Sequence, residues 1–213
     1  MSTTLMRGPK TVRDALSTFL STAVPAQIAI ARAQWNLDER SLPEPSRYDA
    51  YEPYALDEYP LMGIVITNAS NFRLNDIDAY AQRQYRATYA VRLFTWVRTP
   101  LDYDGDNLDE NGAASHATTL RLRDDLSACV RAALLGTSSL GSDYLMWDEG
   151  SLSEEYSDAT GIKGDRFIAG VTHIFNVQVD ESLYLPPIGM DNETLIDAMT
   201  INEQVALVAE ESP

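Results

Sequence analysis

The sequence predicts an α+β fold: a largely antiparallel sheet with two helices packed on one face, plus extended arms. Three observations carry that expectation. Two segments, Lys10 to Ala33 and Ala117 to Leu135, repeat their apolar residues at helical spacing. Two others, Gln84 to Thr99 and Arg166 to Val179, alternate residue by residue as a strand does. The order along the chain is helix, strand, long strand, helix, strand, long strand, which suits helices gathered on one side of an antiparallel sheet.

In the first helix, Val12, Leu16, Phe19, Leu20 and Val24 mark the apolar stripe. Pro25 follows and is expected to break or kink it, because proline lacks the N–H that an interior position donates. From Asn36 to Pro60 the chain is punctuated by Pro43, Pro45, Pro53 and Pro60, with Tyr48, Tyr51, Tyr54 and Tyr59 between them. Proline at that density disfavours a helix and favours an extended path. Two placements follow: a connector with its tyrosines laid on the core, or an arm lying on a neighbouring subunit, with tyrosine supplying a rigid apolar body and a polar tip.

Leu61 to Asn68 is a short apolar run that predicts a buried strand, and Asn71 to Asp78 reads as a polar turn. The long strand from Gln84 to Thr99 sorts Tyr85, Ala87, Tyr89, Val91, Leu93, Thr95 and Val97 onto one face. Arg86, Thr88, Ala90, Arg92, Phe94, Trp96 and Arg98 fall on the other. Such a strand spans roughly 50 Å at about 3.3 Å per residue, so a bend, a bulge or a protrusion beyond the core is expected. An acidic loop, DYDGDNLDENGA, occupies positions 102 to 113. The second helix buries Leu122, Leu126, Cys129, Val130 and Ala133 and stops at Gly136. Tyr144 to Trp147 reads as a strand, Ser151 to Gly164 as a loop or broken strand. The last strand turns Phe167, Ala169, Val171, His173, Phe175, Val177 and Val179 to one side. These two long strands are expected at the sheet centre. Pro186 and Pro187 close a single domain over residues 1–187, and an acidic extension covers 188–213.

The net charge of −16 over 213 residues is the loudest compositional feature. An excess of one sign this large repels nucleic acid and anionic lipid, so a nucleic-acid reader is disfavoured, while a surface that DNA slides past without sticking is compatible. No run of 18 apolar residues is present to span a membrane, and the N-terminus has no signal-peptide core, so a cytosolic product is expected. One cysteine, Cys129, can form neither an intrachain disulfide nor a cysteine-built zinc site.

Chemistry-bearing motifs are scarce. The two histidines, His116 and His173, lie far apart in sequence, and neither belongs to a zinc-binding pair. His173 falls on the apolar face of the last strand, where a hydrogen-bonded core histidine is expected rather than a base. No nucleophile elbow, P-loop or dinucleotide fingerprint occurs. Gly161 to Asp165 carries two glycines and a lysine, but precedes a strand and so lacks the helix N-terminus that would hold phosphate. Asp102, Asp104, Asp106 and Asp109 have the oxygen-rich spacing that calcium favours. An EF-hand loop needs glycine sixth and glutamate twelfth, and those places hold Asn107 and Ala113. A solvated acidic connection is the expectation, a weak cation site the alternative, and a metal-dependent enzyme built on Asp102 to Glu110 the most distant reading. No cofactor is expected.

In order and texture the chain resembles the tail terminator, or tail completion, proteins of long-tailed bacteriophages. The resemblance covers about residues 10 to 187. It rests on the opening helix (Thr11 to Leu20), the proline-punctuated stretch and the short strand LMGIVITN. It rests further on the Arg/aromatic strand Tyr85 to Arg98, the helix RLRDDLSACVRAALL and the closing strand FIAGVTHIFNVQVDESLYLPP. No signature motif is involved, and the acidic loop, the Tyr/Pro segment and the tail are longer than the family pattern.

The resemblance implies a structural virion protein, made in the host cytoplasm and placed in the tail or neck, that performs no chemistry. It implies a hexameric ring that caps the tail tube, ends its polymerisation and offers a surface to the head-side connector or stopper, with DNA passing through the lumen. A stopper or a tail tube subunit is the alternative within the same class. On residue chemistry, Arg86, Arg92, Phe94, Trp96 and Arg98, with Tyr51, Tyr54 and Tyr59, are the candidate partner-binding residues, because arginine and aromatics concentrate at interfaces.

Overall fold

The computed structural model describes residues 7–50, 59–77, 82–98, 113–137, 139–162 and 166–184. Within them lie helix α1 (Pro9–Trp35), strands β1 (Arg47–Asp49), β2 (Leu61–Ile77) and β3 (Gln82–Arg98), and helix α2 (Ala113–Leu135). Strands β4 (Leu145–Tyr156), β5 (Thr160–Ile162) and β6 (Arg166–Tyr184) complete the set. The fold is α+β, with one mixed, mostly antiparallel sheet ordered β1-β2-β3-β6-β4, and β5 also pairing with β6. The two long strands are neighbours at its centre, in register from Gln82↔Tyr184 to Arg98↔Ile168.

Both helices cover the same sheet face. α1 buries Val12, Leu16, Leu20, Val24, Ile28 and Ala31 along one stripe. α2 buries Leu122, Leu126, Cys129, Val130, Ala133 and Leu134. Opposite them stand Ala87, Tyr89, Val91, Leu93 and Val97 of β3 and Ala169, Phe175, Val177 and Val179 of β6, all in one core cluster. Trp147 joins this core with its ring edge-on to Phe175, and its indole N–H donates to the Thr137 carbonyl at 2.7 Å. Burial of this kind, at about 25 cal/mol per Å² of apolar surface, drives the assembly of the two layers.

The helix ends follow local chemistry. Pro9 opens α1, where its missing N–H costs no intrahelical bond. Asn36 closes it in the left-handed region at φ 54°, a conformation asparagine tolerates better than most residues. The Leu37 N–H then bonds the Arg32 carbonyl at 2.9 Å. At the end of α2 the Gly136 N–H bonds the Ala132 carbonyl at 3.0 Å.

Three expectations are corrected and one left open is decided. Pro25 neither ends nor breaks α1, which runs on to Trp35. The carbonyl that proline leaves without a donor belongs to Ser21, an exposed residue whose backbone water can reach. Residues 71–77 are strand rather than turn, because their backbone pairs with the first half of β3. Of the two readings of Ser151 to Gly164 the broken strand holds: β4 resumes after a bulge in which residues 149–152 face a single residue of β6, and β5 follows. The Ser151 hydroxyl holds that bulge, accepting from the Asn176 N–H at 2.8 Å and donating to the Asp148 carbonyl at 2.6 Å. β6 runs to Tyr184, past the expected end at Val179.

The long hairpin β2–β3 carries bulges, one of the outcomes its length led us to expect. Three register shifts interrupt it, between Ile66 and Asn68, Ser70 and Arg73, and Leu74 and Asp76, each adding a residue to β2. Bulges of this kind bend a strand and increase its twist.

Where it is described, the proline-rich segment lies on the chain's own core. Asp38 accepts from the Ser41 N–H at 2.7 Å to make a turn. Arg32 Nε donates to the Leu42 carbonyl at 2.9 Å, above a fully buried Leu42 side chain. The segment then forms the unanticipated strand β1, parallel to the start of β2. Tyr48 packs against the core, and burial pushes its hydroxyl pKa up. The Ser17 hydroxyl ties the Tyr48 carbonyl to α1 at 2.7 Å.

Candidate interaction surface

Strand alternation hands every second residue of the sheet to the face away from the helices. On β3 these are Arg86, Thr88, Ala90, Arg92, Phe94, Trp96 and Arg98, as the alternation predicts. Arg92 is exposed and the others are half-buried. No described helix lies over this face. Five of the eight predicted partner-binding residues are thus gathered on one surface.

Their neighbours follow from the register. Phe94 stands between Gly63 and Thr172, Trp96 between Leu61 and Gly170, and Arg92 between Val65 and Ile174. The Trp96 indole lies flat over Gly170: a Cβ there would sit 2.9 Å from Cε3 and 3.1 Å from Cδ2. Glycine is therefore the residue that lets the ring lie against the sheet, a cross-strand aromatic–glycine pairing. Arg86 donates to both carboxylate oxygens of its cross-strand partner Asp180, from Nε at 2.7 Å and Nη2 at 3.0 Å. That bond raises the arginine pKa further. Both side chains are substantially exposed, so the pair contributes little to stability. Arg98 places its guanidinium 4.9 Å from the centre of the Tyr59 ring, which joins a sixth predicted residue to the same surface. Arg92 has no hydrogen-bond or ion-pair partner among the described residues. Tyr51 and Tyr54 lie outside the described residues, as do Asp102, Asp104, Asp106 and Asp109 of the candidate cation loop.

A second polar group lies under α2 on the helix-covered side, and the sequence reading missed most of it. His173 is fully buried at the cross-strand partner of Glu154. Its Nε2 is 3.4 Å from Ser127 Oγ and 3.3 Å from Glu154 Oε1, the latter a close approach rather than an aligned hydrogen bond. Glu154 Oε2 accepts from Arg131 Nη1 at 2.8 Å and from the Tyr156 hydroxyl at 2.6 Å. The Tyr156 hydroxyl also meets Ser127 Oγ at 3.1 Å, and Arg123 sits 5.1 Å from its ring centre.

His173 holds the Glu154 carboxyl well below the usual range, at about 2, with further help from Tyr156 and Arg131 and against the opposing effect of burial. The inventory of serine, histidine and glutamate invites comparison with a hydrolytic triad. The geometry differs, because a triad sets nucleophile and carboxylate on opposite ring nitrogens. Here both approach Nε2, and Nδ1 is buried without a hydrogen-bond partner. The arrangement fastens α2 to the β4 edge. The expectation of a hydrogen-bonded core histidine holds for Nε2 and not for Nδ1. A helix face and two strands build this group, with Ser127 and His173 standing 46 positions apart, and no local motif announces it.

The remaining candidates are structural. Cys129 is buried, and burial, reinforced by Asp125, pushes its thiol up to about 11, far from a reactive thiolate. His116 stacks edge-on against Phe167 at 5.2 Å. Among the described residues no three metal-ligating side chains cluster, and no helix is long and apolar enough to cross a membrane. No known family profile matches the chain, and no curated protein does either.

Proposed function

We propose that the chain is a structural assembly protein of a long-tailed bacteriophage, a tail terminator whose ring caps the tail tube, stops its growth and receives the head-side connector. One observation carries the assembly reading. A sheet face bearing Arg92, Phe94, Trp96 and Arg98 is left without cover by any described helix in a chain whose net charge is −16. Arginine and half-buried aromatics on a sheet face that no described helix covers are useful anchors for a contact. The element order supports the narrower reading, since it follows the terminator resemblance from the opening helix through β6. The acidic balance supports it too, because a carboxylate-lined lumen lets DNA pass without adhesion.

A tail tube subunit is the second reading, favoured by the hairpin β2–β3, whose arms are each 17 residues long. Hairpins of that length are what a continuous inner barrel would be built from.

The experiment adds the full chain to a polymerising tail-tube subunit and follows tube length by electron microscopy. A terminator gives short tubes with a ring at one end. Incorporation along the tube supports the tube-subunit reading, and tubes of unchanged length without bound chain contradict both.

A further inference from the structure

The sheet face turned away from the described helices is electrically divided. β3 contributes the basic column, with Arg92 exposed at its middle. The edge strand β4 contributes Asp148 and Glu155, both exposed, to the same face, because they pair with Asn176 and Thr172 of β6. Between the columns runs β6, which carries Ile174 there. Register fixes the levels: Asp148 and Asn176 are level with Ala90, Glu155 and Thr172 with Phe94, and Ile174 with Arg92. Arg92 therefore lies at a height midway between the two acids, two strands away, or about 10 Å at the usual inter-strand spacing.

From this pattern we infer that the face is covered, in the free protein, by the same face of a second copy, related by a two-fold axis running parallel to β6. Such an axis exchanges the two sides of the sheet and preserves height along the strands. It lays β4 of one copy over β3 of the other, so that Asp148 and Glu155 of each copy bracket Arg92 of its partner. Ile174 meets its own counterpart on the axis, with Phe94 one diagonal step away on β3. The face is thus self-complementary, as an isologous contact requires, with an apolar centre and charges that pair across it.

Sheets packed this way sit about 10 Å apart with strands aligned to within about 30°. The three strands that overlap, β3, β6 and β4, present roughly 570 Å² per copy over a dozen residues, at the low end for a specific interface. The Asp148 carboxylate accepts one bond, from the Gly150 N–H at 3.2 Å through Oδ1, and keeps Oδ2 for a partner.

The dimer rests on the assembly reading only for what later replaces the second copy. On that reading the pairing hides the face until a tube end displaces it, which restrains premature association.

The test is the mass of the full chain in solution by sedimentation and light scattering, at concentrations from about 1 to 100 μM. The expected species is twice the 23.6 kDa chain. Arg92→Glu, and separately Asp148→Lys with Glu155→Lys, each weaken dimerisation at least tenfold, and the triple variant recovers it. All three positions are exposed, and circular dichroism confirms that each variant is folded. A wild-type monomer over the whole range overturns the proposal. So does a dimer indifferent to both charge reversals, or a ring that forms with no dimer. Tube capping by a chain that is monomeric when free would leave the terminator reading standing while this inference fell, so the two failures are distinguishable.

Discussion

Replacing Glu154 by glutamine tests the polar fastening between α2 and the β4 edge. The carboxyl is depressed from its ordinary 4.5 to about 2 by His173 first, then by Tyr156 and Arg131. A folded-state pKa below the unfolded one means the ionised form is favoured by folding. The resulting stability is complete above about 4.5 and is lost as pH falls through about 2. At about 1.4 kcal/mol per pKa unit, the full contribution at neutral pH is roughly 3 kcal/mol. The Glu154 side chain is only 12% exposed, so little of this is screened by water. Arg131 is 45% exposed, and its share falls with salt.

A chain with 32 carboxylates has other acid-sensitive terms. The informative quantity is therefore the difference between wild type and Glu154→Gln, from urea titrations at pH 7 and near pH 2.5. Glutamine is expected to cost about 2–3 kcal/mol at pH 7, and the gap is expected to shrink to about 1 kcal/mol at the acid end. A gap that is the same at both pH values would refute the argument, since it would make the loss one of packing rather than of charge.

Three other changes follow from the packing. Gly170→Ala drives a methyl into the Trp96 indole and is expected to cost about 1–3 kcal/mol, read by thermal unfolding with a shift in tryptophan fluorescence. Pairing it with Trp96→Ala should remove most of that cost. Leu126→Ala opens a cavity between α2 and the sheet and is expected to cost about 2–5 kcal/mol in urea titration. Deleting Asp104–Asn111 is expected to leave circular dichroism and the unfolding midpoint nearly unchanged, because a solvated connection tolerates shortening; global unfolding would refute that reading of the loop.

Much of the fold was legible because period and burial coincide. The stripe Val12, Leu16, Leu20, Val24 could be read directly, and so could the alternation Ala87, Tyr89, Val91, Leu93, because each sorts apolar from polar residues on a single element. Legibility failed where pairing rather than burial maintains the strand. Residues 71–77 extend β2 through backbone bonds to β3, and β4 crosses its bulge on the strength of a serine hydroxyl. Pro25 misled because proline's penalty depends on whether the released carbonyl reaches water, a tertiary fact.

The candidate surface divided in the same way. Arg86, Arg92, Phe94, Trp96 and Arg98 share one strand, so their common face was visible in the sequence. The acids opposite them, Asp148 and Glu155, join that face only through the register of β4 on β6. The Glu154–His173–Ser127 group is likewise made by register and by the helix above it, from residues 46 positions apart at the two ends of the Ser127–His173 contact.

The central claim is that the helix-free sheet face is an assembly surface. Hydroxyl-radical footprinting of the full chain tests it most directly, comparing dilute protein with protein at concentrations where its mass rises, alone or on tail tubes. Trp96 and Phe94 are expected to lose reactivity as mass rises, while Trp35, exposed beyond this face at the end of α1, keeps its own. Association that leaves Trp96 as reactive as in the dilute chain would contradict the account and place the contact elsewhere.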